Sequence, residues 1–301
     1  MRHLTDVTDL TRQELELLLD TAARLKTERK QRIPSQTLAH RVVALIFEKP
    51  SLRTRVSFES AIMQLGGSSM FLPAQEVGFG WRESLADVTR TLNHYVDAVV
   101  LRVFKHETVL HMTQVAAIPI INGLSDVAHP CQAIADLLTI REHFGGIKGR
   151  TVVFVGDGNN VARSLALGCS LLGARFRLAS PPGYGFEATF VQRCQQLGGT
   201  IEVQVDPIRA VADADIIYAD VWTSMGQESE REQRLKTFAP YQVNARLLAH
   251  APSEARVLHC LPAHRGEEIT DEVMDGPQAL AFEQAGNRLH VQKAILQFLL
   301  N

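Results

Sequence analysis

The chain has 301 residues, 46% of them hydrophobic and 21% charged, with a formal net charge of -2. This length suits about two domains with real cores, and the near-neutral balance excludes the broad basic surface of a nucleic-acid or membrane-surface binder. No run reaches the roughly 18 apolar residues that cross a bilayer, and the first six residues lack the apolar stretch of a secretory signal. The four cysteines, Cys131, Cys169, Cys194 and Cys260, form no CxxC pair. The expectation is reduced thiols in a cytoplasmic protein, with neither a disulfide framework nor a structural metal.

Thr11 and Glu14 have capping-box spacing and open a helix through about residue 26, whose apolar face carries Leu15, Leu18, Leu19, Ala22 and Leu25. Residues 41–47 read as a strand buried on both faces, followed by a helix over 54–65 closed by Gly66 and Gly67. Strand-like runs at 98–101 and 118–121 each follow a helical pattern. The rhythm then repeats: strand 151–155, helix 161–172 ending at Gly173, strand 175–179, helix 188–197, and strands 201–205 and 215–219. Buried strands alternating with helices predict an α/β protein with two doubly wound parallel-sheet domains of similar size joined by helices. The glycine-rich residues 144–149 are the linker candidate. Ligands of such sheets sit at the carboxyl ends of strands, so the loops there carry the candidate chemistry.

Residues 47–55, FEKPSLRTR, take a buried strand into a helix N-terminus. Free backbone donors, the hydroxyls of Ser51 and Thr54 and the guanidinium of Arg53 make an anion site there; the plainer reading is an N-cap serine followed by solvated arginines. His129-Pro130-Cys131-Gln132 opens a helix and would project His129 and Gln132 toward a strand-end cleft, although a lone histidine before a helix is more often structural. Residues 155–160, VGDGNN, follow a strand and raise a nucleotide fingerprint, but Val161 replaces the third glycine and Ser180-Pro181 replaces the acidic ribose ligand. A nicotinamide dehydrogenase is therefore the weak alternative, while Asn159 and Asn160 still fit a loop that binds something small. Asp220 begins a long loop after a strand, and His259-Cys260-Leu261-Pro262 ends another. Cys260 is either a buried structural thiol or a polar contact at the cleft floor.

Taken in this order, these segments closely resemble the ornithine carbamoyltransferase family from residue 47 to about 293. Ser51-Leu52-Arg53-Thr54 is similar to its Ser-Thr-Arg-Thr carbamoyl phosphate motif, His129 and Gln132 to its His-Pro-x-Gln element, Arg102 to its isolated arginine, Cys260-Leu261 to its His-Cys-Leu-Pro element and Arg288 to its C-terminal arginine. Asp220, Ser224, Met225 and Gly226 look like its amino-acid loop. Residues 66–95 contain no lysine, whereas aspartate-specific relatives bring one in from a neighbouring subunit. The intact Ser-Met-Gly loop suits a free α-amino acid better than acetylornithine. Three departures stand out: Leu52 in place of threonine, serving through its backbone N–H; Gly78 where relatives often carry a glutamine or histidine that reaches the neighbouring subunit, with Gln75 or Trp81 as substitutes; and Gly286 within a usual Glu-Asn-Arg triplet.

The resemblance implies a carbamoyl phosphate domain at 1–140 with 286–301 and an ornithine domain at 141–285. Ser51, Leu52, Arg53, Thr54, Arg102, His129, Gln132, Cys260, Leu261 and Arg288 would bind carbamoyl phosphate, and Asn160, Asp220, Ser224 and Met225 would bind ornithine. Arg102, His129, Asp220 and Cys260 would act in the chemistry, with no cofactor and no metal. It further implies a homotrimer or an assembly of trimers. Composition argues for neither nucleic acid nor membrane as partner; arginine synthesis and breakdown would use the same residues, and synthesis is favoured on general grounds alone. The loop after Asp220 is expected to close once carbamoyl phosphate is bound. A binding protein with a decayed site is disfavoured, because decay would not spare this set of residues.

Overall fold

The computed structural model describes residues 1–78, 82–223 and 228–301. The chain forms two compact units, Met1–Leu138 with Gly286–Asn301, and Thr139–Ala285.

The first unit contains β1 (Val42–Phe47), β2 (Ser68–Pro73), β3 (Ala98–Arg102) and β4 (Ile120–Leu124). Its helices are α1 (Arg12–Lys30), α2 (Leu52–Gln64), α3 (Ala74–Val77), α4 (Leu85–Tyr95), α5 (His106–Val115) and the start of α6 (Pro130–Phe144). The strands lie parallel in the order β2-β1-β3-β4. β3 is buried throughout and β1 from its second residue on, as strands covered on both faces must be. Ala44, Ile46, Val99 and Leu101 enter one apolar cluster with Val109 and Met112, and fully burying such a valine, leucine, isoleucine or methionine stabilises by about 1.5–3 kcal/mol. β2 is an edge strand and only partly covered. The opposite edge is masked by Leu4, whose N–H donates to Ile120 O (2.9 Å) and whose carbonyl accepts from Asn122 N (2.7 Å).

The second unit contains β5 (Thr151–Val155), β6 (Arg175–Ala179), β7 (Thr200–Gln204), β8 (Ile216–Ala219) and β9 (Arg256–His259), parallel in the order β7-β6-β5-β8-β9. Its helices are α7 (Asn160–Leu172), α8 (Ala188–Gln196), α9 (Pro207–Val211), α10 (Arg231–Phe238), α11 (Ala245–Leu248), α12 (Asp271–Met274) and the start of α13 (Ala281–Leu300). β5 and β8, central in the sheet, are fully buried, and a core of Val153, Val155, Ile217, Trp222, Phe238 and Val257 packs on one side.

Several elements sit where the sequence places them. Thr11 and Glu14 form the expected capping box on α1, which continues to Lys30, and β5 and β6 have the expected bounds. α2 starts at Leu52, two residues earlier than read, because the Ser51 side chain caps it by accepting from Thr54 N. The division between the units falls inside α6 and α13; residues 144–149 form the turn between α6 and β5. No helix among the described residues is long and apolar enough to cross a membrane.

Candidate active site

In each sheet the strand order reverses at one point, and polar side chains collect there. In the first unit the reversal lies between β1 and β3, where Phe47 stands in register with Arg102 and Glu48 N donates to Arg102 O at 2.8 Å. The next residues of the chain are the turn into α2, so the sheet register itself brings Arg102 to the 51–54 motif.

Thr54 is the hub of that cluster. Its Oγ1 accepts from Arg288 Nη2 at 2.8 Å, from Ser51 Oγ at 3.1 Å and from Arg102 Nη1 at 3.5 Å. Arg288 also donates to Gln132 Oε1, and Gln132 Nε2 donates to Asp136 Oδ1 at 2.8 Å. Thr54, Arg102, His129, Gln132, Asp136 and Arg288 are all buried. α13 runs through Gly286 without a break, a Cβ there would meet nothing, and Arg288 reaches the cluster. Gly123 opens the space on the β4 side: a Cβ there would lie 3.0 Å from Leu101 O and 3.6 Å from Thr54 Cγ2.

Arg53 is half-buried, while the Leu52 side chain is 75% exposed and leaves only its backbone N–H to the motif. Lys49, which the sequence reading passed over, is buried beside the motif with Nζ 4.5 Å from the Phe104 ring centroid. The cluster is electropositive. Burial, then Arg288 and Arg102, hold the His129 imidazole well below its ordinary value, so this ring is neutral and can donate a hydrogen bond without carrying charge. Burial also pushes the Cys131 thiol up to about 12, which makes it an inert core residue.

The His129 shift sets a pH dependence of stability. The unfolded chain binds a proton at this residue near pH 6.5 and the folded chain does not. Stability therefore falls as pH drops below that value, by up to about 1.4 kcal/mol per pH unit from this group, and is insensitive to it above. Urea midpoints taken from pH 5 to 7.5 should show a shallower acid slope for His129→Gln than for the unaltered chain; equal slopes would refute the assignment.

In the second unit the reversal lies between β5 and β8, where Val155 pairs with Ala219, and Ala219 pairs with His259 of β9. The residues just beyond these ends are Asp220 and Cys260, and Asn159 caps α7. Asp220 is buried; Oδ2 accepts from Asn159 Nδ2 at 2.7 Å, and Oδ1 accepts from the Cys260 thiol at 2.9 Å and from Val221 N at 2.8 Å. Asn160 is half-buried at the start of α7, its Oδ1 accepting from Val161 N at 3.0 Å. Of the two asparagines it is thus Asn159, absent from the sequence-derived site, that holds Asp220. Behind them Arg234, also missed, donates to Asp157 Oδ2 at 2.8 Å and to Trp222 O at 2.9 Å. Burial raises the Asp157 carboxyl and the Arg234 contact counters it.

Ser224, Met225 and Gly226, with the loop closure expected of them, and Trp81 lie outside the described residues. Gln75 is exposed on α3. Gly78 ends that helix at φ +74°, where a Cβ would stand 2.6 Å from Arg82 Cβ. A side chain at 78 would be strained in this backbone, which favours glycine there.

The chain thus has the architecture of a two-unit parallel-sheet α/β protein, with an electropositive cluster at one switch point and a carboxylate–thiol cluster at the other. Residues 2–142 match the family model described as aspartate/ornithine carbamoyltransferase, carbamoyl-P binding domain, and residues 148–299 match its Asp/Orn binding domain. The chain belongs to the aspartate/ornithine carbamoyltransferase family. It is 49% identical over 303 residues to the ornithine carbamoyltransferase of Bacillus subtilis, covering 99% of this chain and 94% of that one. It is 48% identical over 303 residues to the anabolic ornithine carbamoyltransferase of Pyrococcus furiosus, covering 99% and 96%. A solved ornithine carbamoyltransferase from P. furiosus superposes with a TM-score of 0.96 at 48% identity, covering 99% and 97%.

Proposed function

We propose that this chain transfers the carbamoyl group of carbamoyl phosphate to the δ-amine of L-ornithine, giving L-citrulline and phosphate in arginine biosynthesis. The observation that carries the reading is the extent of the likeness: both family domains match, and relatives aligned over nearly the whole chain bear that activity in their names, one of them as the anabolic form.

The first unit is assigned to carbamoyl phosphate. Ser51, Arg53, Thr54, Arg102, Gln132 and Arg288, with the Leu52 N–H, hold the dianion; guanidinium pairs on phosphate oxygens are the strong form of such contacts. The second unit is assigned to ornithine, held by Asn160, Asp220, Ser224 and Met225, with Cys260 and Leu261 completing the donor and acceptor set for both substrates. The neutral δ-amine attacks the carbamoyl carbon and pushes charge onto the carbonyl oxygen. Thr54, Arg102 and the neutral His129 donate to that oxygen. The C–O bond to phosphate then breaks, and the departing phosphate, gaining charge as it faces Arg53, Arg102 and Arg288, takes up the proton that the attacking nitrogen loses. An amine like lysine's titrates near about 10.4, so the acceptor must shed a proton first, and Asp220 and Cys260 orient it.

A homotrimer, alone or further assembled, and a cytoplasmic location belong to the same proposal. Leu52, Val56 and Met63 form an exposed apolar stripe along α2, beside the 51–54 motif, with Met70 of β2 also exposed; such a patch suits a subunit contact. None of the four cysteines is in a disulfide.

Acceptor-dependent phosphate release from carbamoyl phosphate, measured with ornithine, acetylornithine, aspartate and putrescine side by side and with the carbamoylated product identified by mass, tests the reading. Turnover is expected with ornithine; carbamoylation of another amine in its place would keep the family and discard the acceptor.

A further inference from the structure

The His-Cys-Leu-Pro turn carries Cys260 to Asp220, yet it leaves β9 through an unfavourable backbone. Leu261 has φ +58°, in the left-handed region that branched L residues rarely adopt. Something must hold it there, and the hydrogen bonds around it identify what.

Leu261 N donates to His259 Nδ1 at 2.9 Å. That nitrogen is therefore the bare one, and the ring proton sits on Nε2, 3.0 Å from Glu268 Oε1. The same Oε1 accepts from His264 N at 2.6 Å. One carboxylate oxygen thus ties down both ends of the turn, at one end through the imidazole of His259 and at the other directly. The side chains of His259 and Glu268 are both fully buried. The His259 N–H in turn donates to Gln284 Oε1 at 2.9 Å, which fixes the strand end itself. Glu268 Oε2, by contrast, is buried with no hydrogen-bond partner among the described residues. A half-satisfied buried carboxylate is a poor way to stabilise a fold, and such costs concentrate where geometry serves function.

We propose that His259 and Glu268 are a positioning pair for the transfer reaction: they lock Leu261 in its left-handed conformation and so hold the Cys260 thiol against Asp220. The inference rests on the reading of Asp220 and Cys260 as parts of the acceptor site. Neither His259 nor Glu268 touches the reacting atoms; both act through the turn.

Two readouts on the full-length protein test it. Alkylation of Cys260 by iodoacetamide, followed by peptide mass spectrometry, needs no assumption about the substrate. In Glu268→Ala the thiol is freed from Asp220 and its alkylation rate changes by about fivefold or more, while Glu268→Gln, whose amide oxygen still accepts from His259 and His264, stays close to the unaltered chain. In steady-state citrulline formation, Glu268→Ala loses about 10- to 100-fold in kcat with the KM for carbamoyl phosphate within about twofold, and Glu268→Gln restores the rate. Should Glu268→Ala not fold, Glu268→Asp, one methylene too short to serve both partners, takes its place under the same readouts. The pair is refuted if Cys260 alkylation is unchanged, or if glutamine fails to rescue while both KM values and the folded fraction fall together. Absence of carbamoyl transfer to any acceptor by the unaltered chain would instead sink the proposed function, with the alkylation result still deciding the role of the pair.

Discussion

Replacing Arg288 by methionine should lower kcat/KM for carbamoyl phosphate by about 100- to 1000-fold, the usual loss when one preorganised donor is taken from developing negative charge. Arg288 bridges Thr54 Oγ1 and Gln132 Oε1 with two nitrogens of one planar group, so its loss removes a cation and also leaves a fully buried Gln132 oxygen to find another donor. Lysine returns the charge but not the fork, and recovers only part of the activity. Stability should respond differently. Arg288 and Arg102 converge on the same hydroxyl, and deleting one of two neighbouring guanidinium groups relieves repulsion that offsets the lost hydrogen bonds. We expect the urea midpoint of Arg288→Met to stay close to that of the unaltered chain, and the His129 imidazole to move back up toward its ordinary value, since Arg288 is the larger of the two charges that depress it. Steady-state kinetics with a parallel denaturation series separates these outcomes; a loss of activity below about tenfold would remove Arg288 from the phosphate cradle.

How much of this was legible in the sequence follows from the range of each interaction. Local signals were read well. Thr11 and Glu14 are a capping box in the chain and in the fold, and the hydroxyl-bearing turn after the buried strand marks a helix N-terminus that Ser51 caps. Edge and boundary features were not. β2 was missed because it is half-covered and begins with two serines, which blurs the apolar run that marked β1. The division inside α6 has no local signal, because a helix of fifteen residues keeps its periodicity across the boundary while the glycines at 144–149 advertise a turn; only the family resemblance sets a boundary at residue 140, within that helix. Side-chain pairing was harder still. Asn159 and Asn160 are equivalent by composition, yet the cap position of Asn159 aims its amide at Asp220 whereas Asn160 turns back on its own helix. Arg288 carries no local signal, because its partners lie 234 and 156 residues away; only family resemblance singled it out. Glu268 and Arg234 sit in polar, charged stretches that carry no local signal, and only their tertiary burial sets them apart.

The carboxylate at the second switch point should be as sensitive as the arginine at the first. Asp220→Asn is nearly isosteric, so packing is preserved, but Asp220 accepts on both oxygens: from Asn159 on one side, and from Cys260 and Val221 on the other. An amide offers one acceptor and one donor. Whichever way it flips, an NH2 group faces another donor, either the Asn159 amide or the Val221 N–H and Cys260 thiol. The negative charge that would steady an arriving ammonium and orient the amine after proton loss is gone as well. General acid–base contributions of this kind are worth about 100- to 10,000-fold, and we expect a kcat loss within that range with ornithine. The KM for carbamoyl phosphate should barely move, because its phosphate contacts are assigned to the other unit; a rise in that constant equal to the fall in kcat would place Asp220 in the phosphate site and overturn the division of labour. Asn159→Ala provides the graded comparison. It removes one of the donors that fix the carboxylate and leaves its charge, so the loss should be smaller than that of Asp220→Asn and should fall mainly on ornithine. If the two variants lost equal activity, charge would count for nothing at this position and orientation for everything.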